Sequence, residues 1–249
     1  MMSRVRVALG VFFAALLLAS CGLSDDKAPD YRYRLTVEVD TPEGLKTGSG
    51  VIEVERDAAS AVVNPSAAVL RTRIRGEAVA VDLPGGQTLY ALLRSAGGDV
   101  DWAARVVPFL SPDMDDDNPF DDVLLMKGKQ ELPRMWPPVG YLDERPAYPL
   151  LVTFGDEADP TSVTQVDPDD LAASFGEGVS LKRLTAELTD DEVTTGIEKR
   201  LGWLPDYYNK QLSGDRFQRL KNKDKGVSAF ISAGVFSAGV GLKSQRENQ

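Results

Sequence analysis

No histidine occurs anywhere in these 249 residues. That absence removes Ser-His-Asp and Cys-His nucleophile systems, imidazole general bases and His-ligated zinc together. Carboxylate chemistry, Ser-Lys pairs or no catalysis at all remain. Cysteine is nearly as scarce, and a single thiol, Cys21, excludes an intramolecular disulfide, so folding rests on packing. Positive charge is also short. Lys and Arg number 28 against 38 Asp and Glu, a net charge of −10. Such a surface repels phosphate backbones and anionic head groups alike, which sets nucleic acid aside as a partner.

What is present begins with MMSRVRV, where Arg4, Arg6 and the amino terminus form a positive patch ahead of the uncharged run Val7 to Leu18. As a helix that run is about 18 Å long against about 30 Å of hydrocarbon, so it reads as the apolar region of a secretory signal peptide. Ala19 and Ser20 then precede Cys21, and an acidic tether follows. Leu18-Ala19-Ser20-Cys21 resembles the lipobox of bacterial lipoprotein precursors, an aliphatic residue, two small residues and a cysteine. The resemblance covers the first twenty-odd residues. It implies cleavage between Ser20 and Cys21, a thioether from Cys21 to diacylglycerol, and a further acyl chain such as palmitate on the new amino terminus. No other cofactor is expected. One acyl chain binds a bilayer only reversibly, whereas two or more hold durably, so the membrane is the first expected partner. Gly22, rather than Asp, follows the cysteine. The resemblance therefore implies the outer membrane, facing the periplasm, with the inner membrane or the surface of a single-membrane cell as alternatives.

Residues 1–20 would then be lost, leaving 26 basic against 38 acidic side chains, a net charge of −12, because Arg4 and Arg6 go with them. Residues 21–30 form a tether. From Tyr31 the chain alternates: Tyr31, Tyr33, Leu35, Val37 and Val39 against Arg32, Arg34, Thr36, Glu38 and Asp40, a strand with one buried face. Pro42-Glu43-Gly44 turns it into GVIEVE, completing a hairpin. Leu70, Thr72 and Ile74 predict another strand, with Gly76 turning into EAVAVDL and Pro84-Gly85-Gly86 into TLYALLRS. The expectation is an α+β, β-rich fold: a sandwich-like β lobe over 31–107, then a proline-rich connector over 108–149. A smaller strand-helix-strand-helix lobe over 150–225 follows, and an apolar then polar tail over 226–249. In that smaller lobe LLVTF is a central strand, Asp167-Pro168 opens a helix ending at Gly176, VSLKRLTAEL is a strand, and Thr189-Asp190-Asp191-Glu192 caps a helix carrying Val193, Ile197, Leu201 and Leu204. This pattern, with YRYRLTVEVDTPEGLKTGSG, is similar to a family of bacterial envelope proteins to which no activity is attached.

Candidate sites are few. Arg71, Arg73 and Arg75 share one strand face and could grip an anion, or pair across strands with Glu38, Glu53 and Glu55; the second reading is preferred. SPDMDDDNPFDD offers Asp113, Asp115 and Asp117 as oxygen ligands for calcium. An EF-hand loop from Asp113 would need Gly at 118 and Glu at 124, however, and the chain has Asn118 and Leu124, which favours a solvated loop. Asp156, Glu157, Asp159, Asp167, Asp169, Asp170 and Glu177 include no pair identifiable as a glycosidase dyad. Trp102, Trp136 and Trp203 would line a groove or, more ordinarily, pack. Gly226 to Leu242 carries no charge but is too rich in Gly and Ser for a membrane helix, so a final strand, a flexible tail or a partner-docking surface is expected. Two functions compete: a lipid-anchored, non-catalytic binding or assembly module with an envelope protein partner, which is preferred, and a carboxylate-dependent periplasmic hydrolase of cell-wall polymer.

Overall fold

The computed structural model describes residues 30–59, 69–112, 121–139, 143–215 and 226–239. Their strands are β1 (Tyr31–Thr41), β2 (Gly44–Ala59), β3 (Val69–Glu77), β4 (Val79–Asp82), β5 (Thr88–Ser95), β6 (Gln130–Glu131), β7 (Met135–Trp136), β8 (Arg145–Pro146), β9 (Pro149–Phe154), β10 (Val163–Gln165), β11 (Ser180–Leu188) and β12 (Ser237–Ala238). The fold is β-rich and antiparallel, with two α-helices among the described residues, Trp102–Leu110 and the single turn Ala172–Phe175.

A six-stranded sheet runs β12-β3-β2-β1-β11-β6 and a four-stranded sheet runs β10-β9-β5-β4. Between them lies the main core. The β1 residues anticipated from alternation, Tyr31, Tyr33, Leu35, Val37 and Val39, meet Val79 and Val81 of β4 and Leu89, Ala91 and Leu93 of β5. The opposite face of the smaller sheet, with Tyr90, Leu92, Leu150, Val152 and Phe154, is covered by Ile197, Leu201, Leu204, Leu212, Ile231, Ala233 and Phe236. The smaller sheet is thus buried on both faces, which is why LLVTF reads as an unbroken apolar run. Three layers result: large sheet, small sheet, and a cover of irregular C-terminal chain.

Several expectations change. Gly76 does not join two paired strands; Glu77 and Ala78 carry the chain from the large sheet into the small one, where β4 pairs with β5 instead. A helix stands at Trp102–Leu110, across the expected boundary between the β lobe and the proline-rich connector, where no element was expected. Its Pro108 disguised it. Proline has no N–H to give the carbonyl four residues back, Ala104, and Tyr31 Oη donates to that oxygen instead at 2.9 Å. Tyr33 Oη donates to the Ala103 carbonyl at 2.7 Å, so β1 grips the helix twice.

The helix expected from Asp167 shrinks to one turn. Asp167 Oδ1 accepts from Asp169 N, closing a local turn, while Asp170 Oδ1 accepts from Ala173 N and Gly176, at φ +99°, ends the turn as anticipated. The helix expected after Thr189 does not form. Asp191 bonds Thr189 Oγ1 and Arg34, and the segment proceeds as two 3-10 turns, Ile197–Lys199 and Leu204–Tyr207. Ile197, Leu201 and Leu204 still point inward, as their spacing required, whereas Val193 is half-buried and outside the core. Within 150–225, β9 and β10 belong to the small sheet while β11 lies beside β1 in the large one, with Leu35 opposite Ala186 and Val37 opposite Leu184. The tail supplies β12, pairing Ser237 with Glu77 and Ala238 with Gly76.

The sheets touch most closely at Gly48. A Cβ there would fall on the Ala80 carbonyl oxygen, with the Ala80 carbon and Val81 Cγ2 each 2.9 Å away, and at Gly50 it would sit 3.3 Å from Val79 Cγ2. Gly48→Ala should therefore lower Tm by about 5 °C, since overpacking costs roughly 1–3 kcal/mol and each kcal/mol moves a domain of this size by about 2 to 4 °C. Unchanged melting would show that the sheets can separate there at no cost. Ending the chain after Lys225 removes the fully buried Ile231 and Phe236 from the cover. It should lower Tm by at least about 8 °C, each side chain contributing roughly 2 kcal/mol, and calorimetry of the two chains decides the point.

Candidate functional site

An open cleft lies where Asp30 leads into β1. Asp30 Oδ1 accepts from the Arg56 backbone N–H at 2.8 Å, closing the start of β1 against β2. Arg32 Nε donates to Glu53 Oε1 at 2.7 Å, and Glu53 Oε2 accepts from Arg75 at 2.7 Å, so one carboxylate ties β1 to β3 across β2. On the other side Thr189 N donates to the Arg32 carbonyl at 3.1 Å. The result is an open cleft of about 330 Å3 lined by Asp30, Tyr31, Arg32, Glu53, Thr189 and Asp190. An adjoining hollow of about 280 Å3 adds Leu124 and Leu188. Beneath it Arg56, 1 % exposed, stacks its guanidinium 5.2 Å from the Tyr31 ring, and burial pushes the Tyr31 hydroxyl well up, so it stays a neutral donor.

The carboxylates named from sequence do not converge on this cleft. Asp156, Asp159, Asp167 and Asp170 each accept backbone N–H groups of their own turns. Asp169 pairs with Arg134 at 2.5 Å, and Glu177 is exposed. Glu157 accepts from Tyr90 Oη at 2.6 Å, and its backbone carbonyl accepts from Trp203 Nε1 at 2.8 Å. Arg200 stands 3.8 Å from the Glu157 carboxylate and grips Asp82. This is a clamp holding the C-terminal cover on the small sheet. Trp102 and Trp136 are core residues, Trp102 Nε1 donating to the Ala147 carbonyl at 2.8 Å, and Trp203 packs tilted against Phe154 and edge-on to Phe236.

Of the basic stripe, Arg75 is engaged by Glu53 and lies 3.9 Å from Glu55; Arg73 stands opposite Glu55 in the ladder. Glu38 pairs instead with Arg183 of β11 at 2.9 Å, because β11 and not β3 is its neighbour. Ser20, Cys21, Asp113, Asp115, Asp117 and the Arg71 side chain lie outside what is described. Among the described residues no group of three or more Asp, Glu, His or Cys could hold a metal ion, and no helix is long and apolar enough to cross a membrane.

Sequence reasoning missed the most buried carboxylate of functional interest, Glu77, which is 2 % exposed. Its two oxygens accept from Gly196 N at 3.0 Å and Ile197 N at 2.9 Å, doing for that turn what the Thr189–Glu192 box was expected to do. An acid inside the apolar run IRGEAVAV was the available signal. Burial pushes its carboxyl up, the two N–H donors pull it back, and neighbouring Glu198 adds a further upward push.

In comparisons with models of known protein families, with curated proteins and with solved structures, nothing matches this chain.

A carboxyl raised in the folded state favours folding while protonated. Its contribution is present below the ordinary value of 4.5 and is lost as pH rises through the raised one. Glu198→Gln removes the like-charged neighbour, so the decline in Tm from acid toward pH 8 should become shallower, with Tm at pH 8 about 2 °C above wild type. Parallel pH profiles for the two proteins would show that Glu77 does not feel Glu198.

Proposed function

We propose that this chain is a lipid-anchored cell-envelope protein acting as a non-catalytic binding or assembly module. The observation that carries the reading is the placing of Cys21. It ends an uncharged run after a basic start, completes Leu18-Ala19-Ser20-Cys21, and stands only nine residues ahead of Asp30, where the folded body begins. Diacylglycerol on Cys21 and a second acyl chain would give durable attachment, with the outer membrane, facing the periplasm, as the destination implied by Gly22. The use of the carboxylates supports binding over hydrolysis: those named from sequence, exposed Glu177 apart, hold turns, ion pairs or the Tyr90 hydroxyl, and Tyr90 is held neutral by burial and by Glu157, unfit as a base. We infer further that 31–107 and 150–225 fold as one unit, supported by β11 pairing with β1 along eight residue positions.

Cys21→Ser should turn a membrane-fraction protein into a soluble or unprocessed one and abolish labelling by a fatty-acid analogue. Wild-type protein that partitions into buffer, with the intact mass of an unmodified chain, would overturn the reading.

A further inference from the structure

We propose that the tether end of the body rests on the lipid surface, with Leu124 and Leu125 entering the interface as a second, non-covalent membrane contact. This rests on the lipid-anchor reading and goes beyond it, since an anchored body could equally hang free in water.

Five large hydrophobic residues are exposed among the described residues: Leu45, Val100, Leu124, Leu125 and Met135. Leu124 and Leu125 are neighbours, 51 % and 43 % exposed, on a turn whose flanking Val123 and Met126 are buried in the main core. The turn Asp121–Leu125 is therefore pinned from below and presents both leucines on a fixed support. Leu124 lines the same hollow as Asp30, the residue at which the tether arrives. At this end, too, the β2–β3 ladder runs past the start of β1: Tyr31 stands opposite Val54, yet β2 continues pairing to Ala59 opposite Val69. That overhang pairs Glu55 with Arg73 and Asp57 with Arg71 before ending at Ala59 and Val69, so the membrane contact is carried by Leu124 and Leu125 and not by the strand ends.

Chain length makes the lipid surface the occupant. Nine residues, Gly22 to Asp30, separate Cys21 from β1. Even fully extended, nine residues reach at most about 30 Å, whereas β1 alone spans roughly 37 Å. The Asp30 end is thus held close to the bilayer and the Thr41–Gly44 end away from it. Electrostatics cannot supply the attraction, because a body of net charge −12 is repelled by anionic lipid. Apolar contact can, and interfacial burial of leucine is favourable without any charge on the lipid.

Lipidation leaves the chain without a free thiol, so one engineered cysteine can be labelled alone. Leu124→Cys, carrying a polarity-sensitive fluorophore, is placed as the full lipidated chain on phosphatidylcholine vesicles, with Leu45→Cys at the far end of β1 as the comparison. The expected result is a blue shift and intensity gain at 124, retained in high salt, and a water-like label at 45. Adding Leu125→Asp to the 124 variant should diminish the shift while leaving co-sedimentation with vesicles intact. A water-like label at 124 on co-sedimenting, lipidated protein overturns this inference and leaves the anchor standing. Protein whose mass shows no lipid overturns both. Equal shifts at 124 and 45 would mean that no particular end faces the lipid, which also overturns it.

Discussion

The two central strands of the small sheet, β5 and β9, have no wet face, and the rest of the molecule is arranged around that constraint. Along β5, Leu89, Ala91 and Leu93 face one core while Tyr90 and Leu92 face the other; along β9, Leu151 opposes Leu150 and Val152. Two central strands that are apolar on both sides cannot stand against water. The large sheet covers one side, and close approach at Gly48 and Gly50 lets β2 lie almost directly on β4. Among the described residues no sheet or long helix covers the other side. It is closed by 3-10 turns and the tail, fastened by side chains: Arg200 to Asp82, Tyr90 to Glu157, Trp203 to the Glu157 carbonyl and Glu77 to the Gly196 and Ile197 amides.

Glu77 sits at the joint of this arrangement. It is the last residue of β3 in the large sheet, precedes β4 in the small one, pairs by backbone with Ser237 of the tail and receives the start of the cover. Through its backbone and its buried carboxylate, one residue therefore meets all three layers. Such a position explains why a charge is tolerated there. Two N–H donors compensate burial, and removing them would leave an unpaired acid in an apolar run.

What could be read from sequence followed the range of the interaction. The strands of β1, β2, β5, β9 and β11 were legible because alternation and apolar runs are local signals, and Gly176 was legible as a terminator for the same reason. The helix at Trp102 was not. Pro108 argued against it, and the donor that makes proline tolerable there is Tyr31, 73 residues away in the chain. The helix after Thr189 was over-read because its capping side chains were claimed elsewhere: Asp191 by Arg34, and the turn's amides by Glu77, about 120 residues away. Alternate glycines at Gly48 and Gly50 were a usable sign of backbone contact. The cleft by Asp30 was out of reach, since it is assembled from β1, β2 and the residues after β11.

The strand that follows the tether is held more firmly than an end strand would be. β1 is interior to the large sheet, paired along its length with β2 and over Tyr33 to Asp40 with β11, while Tyr31 and Tyr33 are bonded to the helix behind it. A force applied through an amino-terminal anchor would act along β1, shearing two ladders together rather than unzipping one edge pair bond by bond. Edge strands separate under small loads because their hydrogen bonds break in sequence; an interior strand must lose many at once. Were the chain anchored at Cys21 as proposed, the Thr41–Gly44 turn, at the far end of β1, would face the aqueous space, where an envelope partner would meet it.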